Sequence, residues 1–163
     1  MAQLVKDVMA STAQVVSSSD TVLEAARLMR DGSVGALLVL RDDQSLEGIV
    51  TDRDIAIRTV AEGRDPKLTA VAEVCSGDVA TVSDRDGIKR SERTMRSKGV
   101  RRLAVMSDGR PVGIISTDDL LVVNQPGTAP AEIVSKARET AAKATKAARS
   151  RLAARIAGRG EEP

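Results

Sequence analysis

The sequence predicts an α+β fold in which two copies of one unit, each a small sheet flanked by helices, pack sheet to sheet, with a basic helix appended at the C-terminus. Three observations carry that expectation. The chain matches itself when shifted along its own length; each copy switches between a helical and a two-residue hydrophobic period; and one strand in each copy is largely apolar on both faces. Of the 163 residues, 42% are hydrophobic and 29% charged, which suits a chain with a packed core. Phe, Tyr and Trp are all absent. Aliphatic side chains therefore do the burying, and no ligand stacks on an aromatic ring.

A shift of 66 residues lays Val5, Val8, Asp20, Val22, Met29, Val34, Leu37 and Val39 on Val71, Val74, Asp86, Ile88, Met95, Val100, Leu103 and Val105. From Gly48 the shift becomes 65, one residue being lost in the preceding turn, so that Gly48-Ile49-Val50-Thr51 falls on Gly113-Ile114-Ile115-Ser116 and Asp54-Ile55 on Asp119-Leu120. The copies are assigned to residues 1–66 and 67–124, and residues 125–163 to a linker and an Ala-rich basic tail.

Within the first copy a short strand is expected near Gln14 to Ser17. Ser19 or Asp20 suits the N-cap of a helix whose apolar face is Val22, Ala25, Ala26 and Met29, with Gly32 as its left-handed stop. Strands at Ala36 to Leu40 and Glu47 to Thr51 flank the polar turn Asp42 to Ser45 as a hairpin. A second helix runs from Asp52 to about Glu62 and closes at Gly63. The second copy repeats this with a strand near Ala80 to Ser83, a helix over Gly87 to Ser97, strands at Arg101 to Met106 and Pro111 to Ser116, and a helix from Thr117. Ala36, Leu38 and Leu40 alternate with Leu37 and Val39, as Arg102, Ala104 and Met106 do with Leu103 and Val105. One face goes under the helices, and the other needs the second copy as its cover.

Composition closes off several functions. With no histidine and one cysteine, the chain lacks a Ser-His-Asp triad, a Cys-His pair and a His-ligated zinc; no enzyme, metal or required cofactor is expected. The acid pairs Asp42-Asp43 and Asp118-Asp119 read either as solvated turns or as ligands for a hard cation. Cys75 reads as a small buried hydrophobe or as a reactive thiol. The longest apolar run, Val34 to Leu40, is seven residues, against the roughly 18 that a membrane span needs. The first residues lack the basic start and apolar stretch of a secretory signal, so a cytoplasmic protein is expected.

The chemistry concentrates in Gly48-Ile49-Val50-Thr51-Asp52-Arg53-Asp54-Ile55 and Gly113-Ile114-Ile115-Ser116-Thr117-Asp118-Asp119-Leu120. Glycine at the strand start permits close approach of a backbone or a ligand. The hydroxyl of Thr51 or Ser116 sits where a strand meets a helix N-terminus, a place that favours phosphate. One turn on, Asp54 and Asp119 suit a ribose diol. The same residues also suit simple N-capping, with Asp in the first turn stabilising the helix and no ligand at all. Both readings stand at this level.

The doubled pattern, with Val8-Met9 and Val74-Cys75 opening the units, resembles the CBS domain family over residues 4 to about 124. The chain is especially similar to stand-alone actinobacterial CBS-pair proteins of the hypoxic-response type, a likeness carried by Thr51-Asp52-Arg53-Asp54-Ile55 and Glu62-Gly63-Arg64-Asp65-Pro66. The resemblance implies a regulatory, signal-sensing module that binds AMP, ADP or ATP, or sometimes S-adenosylmethionine or NAD, in two clefts between the repeats. Thr51 or Ser116 would meet phosphate and Asp54 or Asp119 the ribose, while Val15, Ala36, Leu37 and Leu103 would line the clefts. It further implies that Arg101 and Arg102 reach phosphate; as residues, both also fit an exposed strand. Where the family usually carries Pro in the second strand, this chain has Leu38 and Ala104. Asp118 stands where the first copy has Arg53, which ranks the Thr51-Arg53-Asp54 cleft above the Ser116-Asp119 cleft. A homodimer of two CBS pairs and an unidentified regulated protein are implied as partners. The rivals are an interaction module with vestigial sites and a tail-mediated nucleic-acid binder.

Residues 131–163 hold eight basic and four acidic side chains, against 17 and 19 in the remainder. The tail reads as a helix, with Pro130 suited to its start and Gly158 to its stop. It is a solvated helix, a dimer contact, or a nucleic-acid or membrane-surface contact.

Overall fold

The computed structural model of the protein describes residues 3–9, 15–136 and 139. The first copy comprises β1 (Val15–Ser17), α1 (Val22–Gly32), β2 (Ala36–Leu40), β3 (Leu46–Thr51) and α2 (Asp52–Ile55), which continues as a π-helix over Ala56–Val60. The second comprises β4 (Thr81–Ser83), α3 (Ile88–Lys98), β5 (Arg102–Ser107), β6 (Arg110–Ser116) and α4 (Thr117–Asn124). Each sheet has three strands, with the short strand parallel to the central one and the hairpin antiparallel. The α+β arrangement is the one expected. Residues 129–136 are helical, and most of the expected tail helix lies outside the described residues.

Strand alternation builds three apolar layers. Leu37 and Val39 join Val22, Ala25 and Met29 beneath α1, and Leu103 and Val105 join Ile88, Met95 and Ile115 beneath α3. On the opposite face Leu38, Leu40 and Ala104 meet, with Leu46, Val79 and Ile114 around them. This third layer is the sheet-to-sheet seam, and it covers the strand face that the sequence left apolar.

The two copies are interlaced. Val71 and Val74, which open the second repeat, are fully buried in the first core; Val5, which opens the first, is fully buried in the second. The main chain follows: Val5 N–H donates to Asp86 C=O at 2.8 Å, and Val71 N–H to Asp20 C=O at 2.8 Å. Each repeat thus lends its opening turn to the other.

Three boundary expectations are corrected. Thr21, not Ser19 or Asp20, caps α1: its hydroxyl accepts from Glu24 N–H at 3.2 Å, and the Glu24 carboxylate accepts from Thr21 N–H at 2.8 Å. The Thr21 N–H foremost, and then the Thr21 hydroxyl donating to Glu24 Oε2 at 2.8 Å, hold the Glu24 carboxyl below its ordinary pKa. Asp20 is engaged elsewhere, accepting from Ser17 N–H at 3.0 Å. The left-handed stop of α1 is Ser33 (φ 50°), with Gly32 still helical. Its repeat partner Gly99 holds the same conformation (φ 65°); the geometry belongs to the position and persists where no glycine is present. The second helix is not α-helical to Glu62, because it turns π-helical after Ile55.

Candidate functional site

Both strand-to-helix junctions adopt one geometry. Thr51 (φ −116°, ψ 163°) and Ser116 (φ −120°, ψ 165°) are N-caps of α2 and α4. At the first junction Asp54 N–H donates to Thr51 Oγ1 at 3.1 Å, while Thr51 Oγ1 and N–H donate to Asp54 Oδ2 at 2.7 and 2.9 Å. At the second the corresponding distances are 3.3, 2.5 and 2.6 Å. Hydroxyl and carboxylate therefore form one reciprocal cap, the arrangement that local physics favours without a ligand. The remaining first-turn donors at the first junction are engaged as well: Asp52 N–H donates to Gly35 C=O at 3.2 Å and Arg53 N–H to Asp52 Oδ1 at 2.8 Å. Asp54 is half-buried, and Asp119 is only 8% exposed.

The arginines divide as alternation requires. Arg102 pairs with Ser116 on β5 and shares the seam face with Ala104. Its side chain crosses to the first copy: a Cβ built on Gly35 would lie 3.2 Å from Asp52 Oδ2 and 3.7 Å from Arg102 Nη2. Arg101 is exposed and precedes β5, its carbonyl accepting Thr117 N–H at 3.0 Å. The guanidinium from the second repeat thus stands by the first junction, where Arg53 is also exposed on the opening turn of α2.

Two further residues fix this junction. Gly48 is approached by backbone: Ile49 N–H donates to Ser76 C=O at 3.0 Å and Ser76 N–H to Ile49 C=O at 2.9 Å. A Cβ at Gly48 would sit 2.8 Å from the Ser76 carbonyl oxygen and 2.9 Å from Cys75 Sγ. Arg58, which the sequence reading did not single out, lies 3.5 Å from Asp54 Oδ1 through Nη2, and its Nη1 donates to Val74 C=O at 2.7 Å. The i,i+4 spacing of Asp54 and Arg58 was the available signal.

The profile of the CBS domain matches the chain twice, over residues 5–59 and 71–124. The chain belongs to the CBS domain family. This CBS pair is 38% identical over 118 residues to the CBS domain-containing protein YhcV of Bacillus subtilis, covering 72% of this chain and 83% of that protein. It is 34% identical over 115 residues to Hypoxic response protein 1 of Mycobacterium tuberculosis, covering 71% and 80%. A crystal structure of Hypoxic Response Protein I with two coordinated zinc ions matches with a TM-score of 0.65 and 32% identity, covering 72% of this chain and 96% of that one. A hexameric CBS-CP12 protein from bloom-forming cyanobacteria matches with a TM-score of 0.67 and 27% identity, covering 90% and 88%. The zinc belongs to that relative. This CBS pair has no histidine and one cysteine, and its described residues include no group of three or more His, Cys, Asp or Glu placed to hold a metal.

The apolar residues expected to line the clefts are placed differently from one another. Ala36 is buried and pairs with Thr51 across the hairpin, next to the first junction. Leu37 and Leu103 are 0% exposed inside the two helix-covered cores. They do not line a cleft open to solvent, because alternation turns them away from the seam that Ala36 and Arg102 face. Val15, 47% exposed, opens instead onto a pocket of about 280 Å³ with Asp20, Leu40, Arg41 and Asp42, near the hairpin end of the first sheet. Cys75 is half-buried with its thiol pKa raised, first by burial and then by the Glu47 charge. No described helix is long and apolar enough to cross a membrane.

Proposed function

We propose that this CBS pair is a cytoplasmic regulatory module that binds an adenine nucleotide, AMP, ADP or ATP, at the first junction and catalyses no reaction. The observation that supports this most is the convergence there of groups from both repeats: Thr51, Arg53 and Asp54 from the first and Arg102 from the second. Phosphate suits the two guanidiniums. The ribose diol suits Asp54, whose carboxylate oxygens have lone pairs beyond those used in the cap. An affinity in the micromolar range, roughly −8 kcal/mol, is expected.

Calorimetry with AMP, ADP, ATP, S-adenosylmethionine and NADH tests the reading, and dye-reported thermal shift provides a second readout, since a ligand bound only by the folded state raises its stability. Absence of binding by every adenosine compound at millimolar concentration would sink it. Thr51 and Asp54 would then be caps alone, within an interaction module.

Arg102→Ala is expected to weaken nucleotide binding about tenfold or more at the first junction, in line with about 1.5–3 kcal/mol for a charge-assisted hydrogen bond. Loss confined to the second junction in titrations of the variant would contradict the crossing seen here. A homodimer that pairs the helical faces is proposed for the assembly, with the hexameric relative as support for self-association. A monomer across the micromolar range in light scattering, with and without AMP, would refute it.

A further inference from the structure

Arg58 spans two parts of the molecule that lie far apart in the chain. Its Nη1 donates to the carbonyls of Val74 at 2.7 Å and Cys75 at 3.0 Å, and its Nη2 donates to Ser76 Oγ at 3.3 Å. The same Nη2 stands 3.5 Å from Asp54 Oδ1, on the carboxylate whose other oxygen closes the Thr51 cap. The segment that Arg58 holds belongs to the opening of the second repeat, where Ser76 pairs with Ile49 and crowds Gly48. At the corresponding place in the second copy, position 123, the repeat partner of 58, is a valine packed against the second apolar core.

We propose that Arg58 is a positioning residue that couples the Asp54 carboxylate of the first junction to the opening segment of the second repeat, so that a change in what Asp54 holds is transmitted to Val74–Ser76. A guanidinium has a fixed fork of donors, which lets one side chain serve a carboxylate and two carbonyls together. Hydroxyl groups donating to Asp54 compete with Arg58 for the carboxylate. Arg58 then keeps only its contacts with the segment, to the Val74 and Cys75 carbonyls and Ser76 Oγ. This ligand-linked part rests on the nucleotide reading, whereas the tie between Asp54, Arg58 and the segment does not. The coupling is one-sided, because Val123 offers its segment no charge.

Cys75 is the only cysteine, and its own carbonyl is held by Arg58. Because the Arg58 and Asp54 charges also act on the thiol itself, its maleimide rate is taken at the high-pH plateau of each variant's own pH profile, where the rate reports opening of the segment. Rates are measured on the full chain, with thermal melts run alongside, for wild type, Arg58→Met, Asp54→Asn, the double variant, and Arg90→Met as a control that removes an exposed i,i+4 pair with Asp86. Arg58→Met is expected to raise the rate about fivefold or more, the change in open population that losing charge-assisted bonds brings. Asp54→Asn should raise it less and add nothing in the double variant, and Arg90→Met should leave it at the wild-type value. A role in general stability would make the rates track the melting temperatures and the two changes multiply. That result, or an unchanged rate in Arg58→Met, would overturn the coupling.

Saturating AMP should alter the Cys75 rate of wild type and not that of Arg58→Met. If AMP binds in calorimetry and leaves the wild-type rate untouched, the coupling falls and the nucleotide reading stands. If neither AMP nor ATP binds but the double variant is non-additive, the tie stands and the nucleotide reading falls.

Discussion

Asp54→Ala is expected to abolish the tighter adenine-nucleotide binding event, while Asp119→Ala leaves that event nearly intact. The two carboxylates occupy the same place in the same cap, so truncating either removes one reciprocal cap, costing about 0.5–2 kcal/mol. The pair of variants is therefore matched for the lost cap; Asp54→Ala additionally frees Arg58, so its melting temperature is read beside that of Arg58→Met. What differs is charge. Beside Asp54 stand Arg53 and Asp52 on the same turn and Arg102 from across the seam; beside Asp119 stands the exposed Asp118, with Arg101 meeting Thr117 through its main chain. Changing a phosphate contact from guanidinium to carboxylate should separate the junctions by at least about tenfold. Calorimetry on the two variants and wild type reads the difference directly. If Asp119→Ala proves the more damaging change, the ranking is wrong and the phosphate lies at the second junction.

Gly48→Ala is expected to destabilise the fold by about 3 kcal/mol, at the upper end of the cost of overpacking a filled site. The added methyl would meet the Ser76 carbonyl oxygen at 2.8 Å and Cys75 Sγ at 2.9 Å. A sulfur can rotate away, but the carbonyl is fixed by the bonds that Ser76 makes with Ile49. Cys75→Ala in the same chain should therefore restore only part of the stability. With no aromatic residue for fluorescence, urea unfolding followed by far-ultraviolet circular dichroism is the suitable measurement. A Gly48→Ala variant as stable as wild type would show that the opening segment of the second repeat does not lie against β3 in solution.

The repeat, the hairpins and the apolar seam were legible in the sequence because each is written in local terms. A period of two residues across Ala36–Leu40 assigns its faces, and a strand apolar on both faces demands a second cover, which Leu38 and Ala104 provide for each other. The junctions were legible for the same reason, since a hydroxyl and a carboxylate three residues apart meet whenever a helix begins at the hydroxyl. The π-helical turn after Ile55 was not legible, whereas the Thr21 cap, which the expectation of Ser19 or Asp20 missed, was signalled by the same spacing, to Glu24.

What the sequence could not decide is which repeat each residue serves. Val5 and Val71 are buried in the core of the opposite repeat, Arg102 leaves its own junction for that of its neighbour, and Arg58 holds carbonyls 16 and 17 residues away. By itself the sequence determined two like units, their capped junctions and the need for a shared seam. Only the tertiary structure decided that the cations gather at the first junction. Local periodicity sets the face on which a side chain stands, but the group it meets across the seam depends on how two separately folded surfaces dock, and an arginine is long enough to take a partner from either one.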